Sequence, residues 1–467
     1  MSVGQRKRGL GIGPREGQRK KGLGIGLGRG QRKEGLGRRP REGQRAGGLG
    51  IGLRVIAAFV LCASMCPSAF AQDDPHAGMQ HDMPHGSGWT FMQDGSVFVM
   101  FNHQGSPRGE TELKVPNWWM GMTRRPIRRG MLTVTVMLSL DPATVGEQGY
   151  SHIFQIGETY QGNALIDHQH PHDFLMQAAA VWRQPLAKGF TLTLAGAPVG
   201  EPALGPIAFM HRSSAVENPM SPLGHHTFDS THIAFGVLTG GVERGPLQVE
   251  SSIFHGAEPD ENRWDLMDPG ALDSWSIRGW YRPSPEWTLQ ASHGLLHEPE
   301  ALEEGDVRRT TASASWNRAR GSGSTALTLA WGRNLKLGGS YDALLAELTR
   351  TFAGGGTFFW RVEATQVETD VLRTGVHTFQ GGRKKAHIVE PGRRDFVGAI
   401  SAGATRMLWR PKGWAFAAGG LVTAYGVPGS LAPFYGEKPP WSFQVFAHVR
   451  PPSTHRMVDM TMTRMRQ

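Results

Sequence analysis

Residues 441–450 read Trp441-Ser442-Phe443-Gln444-Val445-Phe446-Ala447-His448-Val449-Arg450. Apolar and mostly polar side chains alternate along this stretch, as they do in residues 287–293 and 358–365. A period of two places one set of side chains on each face of a β-sheet. From Trp89 onward the chain reads as a series of such strands, which predicts an all-β fold.

Turn-forming stretches separate many of these strands into pairs. Short stretches rich in Gly, Pro or Ser lie at residues 242–246, 282–285, 319–323 and 353–356. Longer, charged connections lie at residues 258–273, 298–307 and 369–394. Short turns that alternate with long loops are typical of outer-membrane barrels, so the pattern predicts an antiparallel transmembrane β-barrel of about 16 strands.

The two faces of the predicted strands also favour a membrane barrel. The apolar faces carry Trp287, Trp331, Trp360 and Trp441 near the expected strand ends, and the polar faces include Glu250, Arg278, Arg361 and Glu363. Trp collects where lipid meets water. Beyond the leader no apolar run approaches the roughly 20 residues of a transmembrane helix. A periplasmic β-sandwich, β-propeller or β-solenoid is the structural alternative.

Charge and cysteine content exclude several classes of function. The chain has 467 residues and a formal charge of +10, but residues 1–71 hold fifteen Lys or Arg and three Asp or Glu, so the remainder carries −2. The basic pI therefore gives no reason to expect a nucleic-acid partner. Both cysteines, Cys62 and Cys66, also lie before residue 72. The rest of the chain can form neither a disulfide nor a thiolate metal site.

The first 71 residues combine a repeat with an export signal. Gly-Gln-Arg recurs with a period of 13 from Gly4 to Gly43, in a basic, Gly-rich segment that cannot bury enough apolar surface to fold. We interpret it as translated repeat DNA, the alternative being a basic arm that binds nucleic acid or anionic lipid. Residues 55–66 are apolar and precede Ala69-Phe70-Ala71, which predicts signal-peptide cleavage after Ala71 and export to the outer membrane.

These observations predict five regions. They are a repetitive basic segment (1–52) outside the mature protein, a signal peptide (53–71), a flexible linker rich in His and Met (72–87), the β-barrel (88–450) and a Met-rich C-terminal tail (451–467).

Two histidine-rich clusters are the main candidates for chemistry. The first contains His168, His170, His172 and Asp173, and the second contains His211, His225, His226, Asp229 and His232. In an extended chain, alternate residues lie about 6.6 Å apart on one face, so the first three imidazoles are candidates to share a metal ion. Nitrogen and oxygen ligands suit Zn, Cu(II), Ni or Fe. The alternative is a set of structural, hydrogen-bonded histidines.

The direction of one histidine follows from the alternation after it. His232 precedes Ile233, Phe235 and Val237, an apolar set at every second position. If this set faces lipid, His232 faces the lumen of the barrel. We therefore expect the second cluster to point inward.

The two ends of the mature chain carry a second metal-binding pattern. The N-terminal set is His76, Met79, His81, Met83 and His85, and the C-terminal set is His455, Met457, Met460, Met462 and Met465. Thioether ligands select Cu(I) and imidazole suits Cu(II). Copper is therefore the favoured ion and zinc the second choice, with composition bias as the alternative explanation of the Met residues.

Other patterns give weaker indications. The acidic loop from Glu258 to Asp265 is interpreted as a solvated loop, with a Ca²⁺ site as the alternative. Ser230 lies near Asp229 and His232, but members of a catalytic triad are brought together by the fold and rarely by sequence adjacency. Nucleophilic catalysis is therefore not expected.

Three stretches are similar to a known family. DHQHPHDFLM at 167–176, the segment 210–241, and FHGAEPDENRWD at 254–265, followed by DSWSIR, resemble a family of largely uncharacterised Gram-negative exported proteins. Members of this family tend to accompany genes for resistance to copper and other heavy metals. The Met- and His-rich ends are also similar in kind to those of the outer-membrane copper-resistance protein CopB. The resemblance implies a role in metal tolerance.

The sequence thus predicts an outer-membrane barrel that binds copper, or a similar transition metal, in its lumen and at its tails. Its role would be sequestration or passage of the ion, and its partners would be outer-membrane lipid, metal ions and periplasmic copper-handling proteins. The first alternative is a metal-dependent enzyme, a hydrolase or oxidase, which would need an open coordination position beside a cavity. The second alternative is a passive channel without metal.

Overall fold

The computed structural model describes residues 88–268, 270–303, 305–336, 339–374, 379–381, 386–388 and 392–452. The predicted leader and His/Met-rich linker, and all but the first two residues of the predicted tail, lie outside these ranges. The predicted tail ligands from His76 to His85 and from His455 to Met465 therefore have no structural description.

Strands dominate the described residues. In chain order they are β1 (Thr90–Gly105), β2 (Thr111–Lys114), β3 (Asn117–Ile127), β4 (Gly130–Leu138), β5 (Tyr150–Tyr160), β6 (Asn163–Gln169), β7 (Leu175–Pro185), β8 (Phe190–Gly200), β9 (Ala234–Arg244), β10 (Leu247–His255), β11 (Ser274–Tyr281), β12 (Trp287–Leu296), β13 (Val307–Arg320), β14 (Gly323–Lys336), β15 (Gly339–Thr351), β16 (Gly356–Glu368), β17 (Phe379–Gly381), β18 (Ala386–Ile388), β19 (Arg394–Trp409), β20 (Ala415–Gly426) and β21 (Trp441–Arg450).

The helices are short. They are α1 (Asp141–Thr144), α2 (His225–Phe228), α3 (Thr369–Thr374) and α4 (Ala432–Tyr435), with 3₁₀ turns at Ala187–Gly189, Phe209–His211, Ser230–His232 and Pro411–Gly413. No helix in the described ranges is long and apolar enough to cross a membrane.

The main sheet closes on itself. Each wall strand pairs antiparallel with its neighbours along the chain, and β1 completes the ring by pairing with β21 (Val97 opposite Val449) on one side and with β2 and β3 on the other. Because β2 and β3 follow each other along the same edge of β1, the 17 strands of this sheet occupy 16 positions. The fold is therefore a closed, antiparallel β-barrel of 16 strands, which confirms the predicted fold class.

The wall has an apolar outer face and a polar inner face. Exposed, outward-facing side chains include Leu238, Val249, Ile277, Leu344, Ile400 and Val445. Buried, inward-facing side chains include Gln248, Glu250, Arg278, Glu347, Arg361 and Gln444. This arrangement is the reverse of a soluble protein and is that of a transmembrane β-barrel, whose outer face meets lipid. The predicted alternation in residues 287–293, 358–365 and 441–448 is confirmed.

Short turns and long loops alternate between the two ends of the barrel. The four predicted short turns join β9 to β10, β11 to β12, β13 to β14 and β15 to β16. The three predicted long connections join β10 to β11, β12 to β13 and β16 to β19. Gly88 and Pro452, which flank the first and last wall strands, lie at the end with short turns.

Two insertions from the long-loop end fill the lumen. The first, which we call the luminal hairpin, is the two-stranded sheet of β5 and β6 between β4 and β7. The second, which we call the luminal segment, is residues 201–233 between β8 and β9. It reaches the short-turn end, where Thr349 donates to the carbonyl of Ser214 (2.7 Å) and Thr405 donates to Glu217 (2.9 Å).

Two details of the predicted wall are wrong. Ile233, Phe235 and Val237 are buried inside the barrel, whereas Leu238 and Val242 are exposed on its outer face. The alternation continues through Gly236, and the apolar set faces inward because it packs on buried residues of the luminal segment such as Phe209 and Leu204. Among the predicted end residues, Trp287 and Trp441 do begin their strands, but Trp331 and Trp360 lie within β14 and β16.

Candidate metal centre

Five of the predicted histidines meet in the lumen. His170 and His172 follow β6, and His225, His226 and His232 belong to the luminal segment. The ring centroids of neighbouring pairs are 5.2 Å (His225–His232), 5.3 Å (His225–His226), 5.6 Å (His170–His226), 5.8 Å (His172–His232), 6.1 Å (His170–His225) and 6.4 Å (His170–His172) apart. The fold thus joins the two sequence clusters into one.

Four of these rings are fixed by an acceptor at Nδ1. His172 contacts Asp141 Oδ2 (2.8 Å) and His225 contacts Asp229 Oδ1 (2.7 Å). His232 contacts the carbonyl of Asp229 (2.8 Å), and His170 contacts that of Pro171 (3.1 Å). A carbonyl or carboxylate oxygen only accepts, so each Nδ1 carries the proton and each neutral ring keeps a lone pair on Nε2.

The Nε2 atoms of His170, His172, His225 and His232 are buried and make no hydrogen bond, although that of His170 lies 3.4 Å from Oε1 of Glu158. A buried polar atom without a partner is costly, and such a group in a folded protein calls for an explanation. An imidazole whose Nδ1 is held by an oxygen acceptor and whose Nε2 is free is the usual form of a histidine ligand to a metal ion. We call these four residues the imidazole site.

The four rings are neighbours, but in the described residues no three of them have ligand nitrogens within 4.8 Å of one another. A metal–nitrogen bond of about 2.0–2.1 Å places the ion roughly 3.2 Å from a ring centroid, and four tetrahedral ligands then have centroids roughly 5.2 Å apart. The four consecutive separations around the imidazole site run from 5.2 to 6.4 Å. The rings would therefore have to move and turn towards one another to share one ion.

Burial favours the neutral form of His170, His225 and His232. It lowers the pKa of His232 to about 3 and lowers the pKa values of His170 and His225 as well, with neighbouring positive charge and the other imidazoles adding to the effect at His170. Burial alone would raise the pKa of Asp229, but Arg212 and His225 bring it below its ordinary value. The site therefore combines neutral imidazoles, which are the metal-binding form, with an ionised carboxylate behind one of them.

The remaining predicted residues lie around this centre. His168 points elsewhere, with Nδ1 at 3.1 Å from the carbonyl of Ile166. Asp173 accepts from Arg263 (3.1 Å), and His211 packs edge-on against Trp118 with its ring centroid 4.8 Å away. Asp229 accepts hydrogen bonds from Arg212 and from Nδ1 of His225. It therefore positions His225 and is not itself a candidate ligand.

The structure adds residues that the sequence did not indicate. Asp141, on α1, holds His172, and Arg309, on β13, donates to the carbonyl of His226 (2.7 Å) and to Ser230 (2.9 Å). Three carboxylates, Glu158, Glu258 and Glu300, come from three different connections and surround His226. Glu258 lies in the acidic loop interpreted as solvated and Glu300 in the long connection 298–307, and neither is a predicted ligand.

The carboxylates differ in their charge state. Burial raises the pKa of Glu158 to about 7 despite its ion pair with Arg263, and burial together with Glu258 raises the pKa of Glu300 well above its usual range. Burial would also raise the pKa of Glu258, but His226 and Arg309 bring it down to about 2. Glu258 is therefore ionised, whereas Glu300 keeps its proton.

A cavity of about 90 Å³ lies beside these carboxylates. Its lining includes Glu158, His226, Glu300, Lys336 and Tyr341. A polar cavity of this size has room for several water molecules or a small ligand.

Comparisons with known proteins place the chain only by its fold. No family model and no curated protein matches the sequence. Among solved structures, an anion-selective porin from Comamonas acidovorans is similar over 78% of this chain and 100% of its own, with 8% identity and a TM-score of 0.45. OprB of Pseudomonas putida is similar over 78% of this chain and 94% of its own, with 8% identity and a TM-score of 0.47.

A loop-deletion mutant of OmpT, an outer membrane protein of Vibrio cholerae, is similar over 78% of this chain and 99% of its own, with 8% identity and a TM-score of 0.45. The assignment of the present fold rests on the closed pairing of its own 16 strand positions.

Proposed function

We propose that this chain is an outer-membrane barrel that holds one transition-metal ion, copper or zinc, at the imidazole site and contributes to metal tolerance by sequestering it. The observation that carries the proposal is the set of four buried Nε2 atoms without partners, each on a ring whose Nδ1 is occupied. Imidazole nitrogen suits both ions, and copper agrees with the Met- and His-rich ends of the chain.

The position of the site favours retention of an ion over free passage. The luminal segment crosses the lumen between the long-loop end and the short-turn end, and ion pairs attach it to the wall. Arg212 donates to Asp229 and to Glu347 (2.6 Å each), while Arg361 donates to Glu347 (3.1 Å) and to the carbonyl of Met220 (2.9 Å). A passive channel is therefore the weaker alternative.

Location in the outer membrane follows from the same surface argument. The side chains of Leu344, Ile400 and Val445 are each more than half exposed on the outer face of the wall. Such a belt is stable only against lipid or detergent. The partners that we propose are accordingly outer-membrane lipid, the metal ion and periplasmic copper-handling proteins.

The test measures bound metal in the full chain, expressed in a Gram-negative host and purified from the membrane fraction in detergent. After exposure to Cu²⁺ or Zn²⁺ and dialysis, we expect the parent protein to retain one more equivalent per chain than the variant His172→Ala/His232→Ala. The Cu²⁺ form should also show nitrogen hyperfine structure in its electron paramagnetic resonance (EPR) spectrum, and the variant should lose that signal.

A matched control is the variant His103→Ala/His168→Ala, because neither histidine belongs to the cluster. It should bind as much metal as the parent protein does. Equal metal content and equal spectra in the parent and in His172→Ala/His232→Ala would overturn the proposal, since all bound metal would then reside elsewhere. Heat-modifiable migration on gels shows whether each variant has folded as a barrel.

A further inference from the structure

We infer that His226, Glu258 and Glu300 form a second site for a divalent metal ion, distinct from the imidazole site and open to the adjacent cavity. We call it the carboxylate site. It extends the proposed metal-handling function and rests on it only in that both sites belong to one luminal centre. The carboxylate site uses none of the four histidines of the imidazole site.

The three side chains already have the spacing of a metal site. One ligand atom from each of them lies within 4.8 Å of the others. In the described part of the chain, only one further group shares this property, namely Asp260, Asp265 and Asp268. His226 comes from the luminal segment, Glu258 from the connection after β10, and Glu300 from the connection after β12. Convergence of three separate connections indicates a built site.

Two of the ligand atoms lack a hydrogen-bond partner. Nδ1 of His226 and Oε1 of Glu258 are buried and unpartnered, and they lie 3.5 Å apart, beyond an ordinary hydrogen bond of this kind. A cation between them would take up both atoms as ligands. The ring of His226 is also held from behind, since Gly157 packs so closely on it that a Cβ there would lie 2.5 Å from Nδ1.

The cations around the site form their hydrogen bonds and ion pairs with other groups, although the charges of Arg309 and Lys336 still act on Glu258 and Glu300. Arg263 pairs with Glu158 and Asp173, Lys336 pairs with Glu303 and Glu368, and Arg309 bonds the carbonyl of His226 and Ser230. Glu258 and Glu300 therefore face each other beside a third carboxylate, Glu158. A divalent ion bound here would interact with more than one carboxylate at once.

The two sites favour different ions. Four imidazoles suit copper or zinc, whereas two carboxylates with one imidazole suit Mn²⁺, Fe²⁺ or Zn²⁺. Three protein ligands also leave coordination positions unfilled, and His226 and Glu300 both line the cavity of about 90 Å³. Water, or a small oxygen-donor ligand, would complete the coordination from that side.

The experiment uses Mn²⁺ as the probe. The purified full chain is stripped with a chelator, loaded with Cu²⁺ to fill the imidazole site and titrated with Mn²⁺, with free Mn²⁺ followed by EPR. We expect one Mn²⁺ per chain and at least a roughly 100-fold weaker Kd in Glu258→Gln/Glu300→Gln, because even the supporting partners of ligands are worth 10–100-fold in affinity. The control Asp265→Asn/Asp268→Asn, in the other acidic group, should bind Mn²⁺ as the parent protein does.

The Cu²⁺ signal separates failure of this inference from failure of the proposed function. An intact Cu²⁺ spectrum in Glu258→Gln/Glu300→Gln shows that the variant is folded and that its loss of Mn²⁺ is specific. If the parent protein binds no Mn²⁺, or the variant binds it equally well, the carboxylate site is wrong while the imidazole site stands. If the parent protein binds Mn²⁺ but no copper, the imidazole site is wrong while the carboxylate site stands.

Discussion

The barrel wall and the luminal segment are held in place by different interactions. The wall depends on a continuous ladder of backbone hydrogen bonds and on side chains that alternate between lipid and lumen. The luminal segment has only short helical turns and is attached by buried ion pairs to Glu347 and Arg278 of the wall and by a hydrogen bond from Arg361 to the carbonyl of Met220. The wall is thus stabilised by a repeated local pattern, and the segment by a few long-range contacts.

The largest expected effect is in the attachment of the luminal segment. Replacement of Arg212 by Met leaves Asp229 and Glu347 buried without their shared cation, and breaking a buried pair in this way costs about 3–5 kcal/mol. We expect a lower midpoint of unfolding in urea, followed by Trp fluorescence in detergent, and loss of copper from the imidazole site.

The matched control for this variant is Arg318→Met. Arg318 pairs with Glu286 at an exposed position of the wall (3.5 Å), where an ion pair contributes about 0–1 kcal/mol. Equal midpoints for Arg212→Met and Arg318→Met would contradict the distinction between the two regions.

The second effect concerns the lipid face of the wall. Ile400, in the middle of β19, is 61% exposed on the outer face, and an Arg at the bilayer midplane of a barrel costs about 2–4 kcal/mol. Ile400→Arg should fold into lipid vesicles less stably, as measured by urea titration. Leu186→Arg, at a short turn, should cost only about 0–1 kcal/mol because it lies near the interface. If the two substitutions cost the same, Ile400 does not face the membrane core.

The contrast between the two regions also explains what the sequence could predict. Alternation in residues 441–450 and the turn at residues 242–246 are local signals, and they predicted the wall and its strand number. At Ile233, Phe235 and Val237 the same rule gave the alternation but the wrong face, because this apolar set packs on the segment that fills the lumen, which alternation alone does not reveal.

The sequence predicted only part of the candidate metal centre, for a related reason. His170 and His172 were predicted as one group and His225 and His232 as another, because each pair is close in the chain. Asp141, Glu158 and Glu300 come from other connections, and only the folding of these into one lumen brings them to the histidines. A single carboxylate in a long loop carries no local signal of such a role.

A third, smaller effect is expected at the partner of His172. Asp141→Asn keeps an oxygen for Asn117 but places an amide donor opposite Nδ1 of His172. The ring then favours a proton on Nε2, which blocks metal binding, and losses of this kind are roughly 10–100-fold in affinity. We expect that change in the Kd for copper with little change in unfolding midpoint, whereas Asp265→Asn should alter neither. A copper Kd unchanged in Asp141→Asn would mean that His172 is not a ligand.

The smallest effect is expected from removal of the chain ends. Gly88 and Pro452 lie at the short-turn end of the barrel, whereas the carbonyl of His226 is bonded by Arg309 and Asn334, close to the long-loop ends of β13 and β14. The imidazole site, which adjoins His226, thus lies nearer the opposite end of the barrel. Deletion of residues 72–87 and 453–467 should lower total bound copper but leave the EPR signal of the imidazole site unchanged at equilibrium. Loss of this EPR signal on deletion of the chain ends would show that the ends supply ligands to the imidazole site. The ends and the barrel would then form one metal-binding unit.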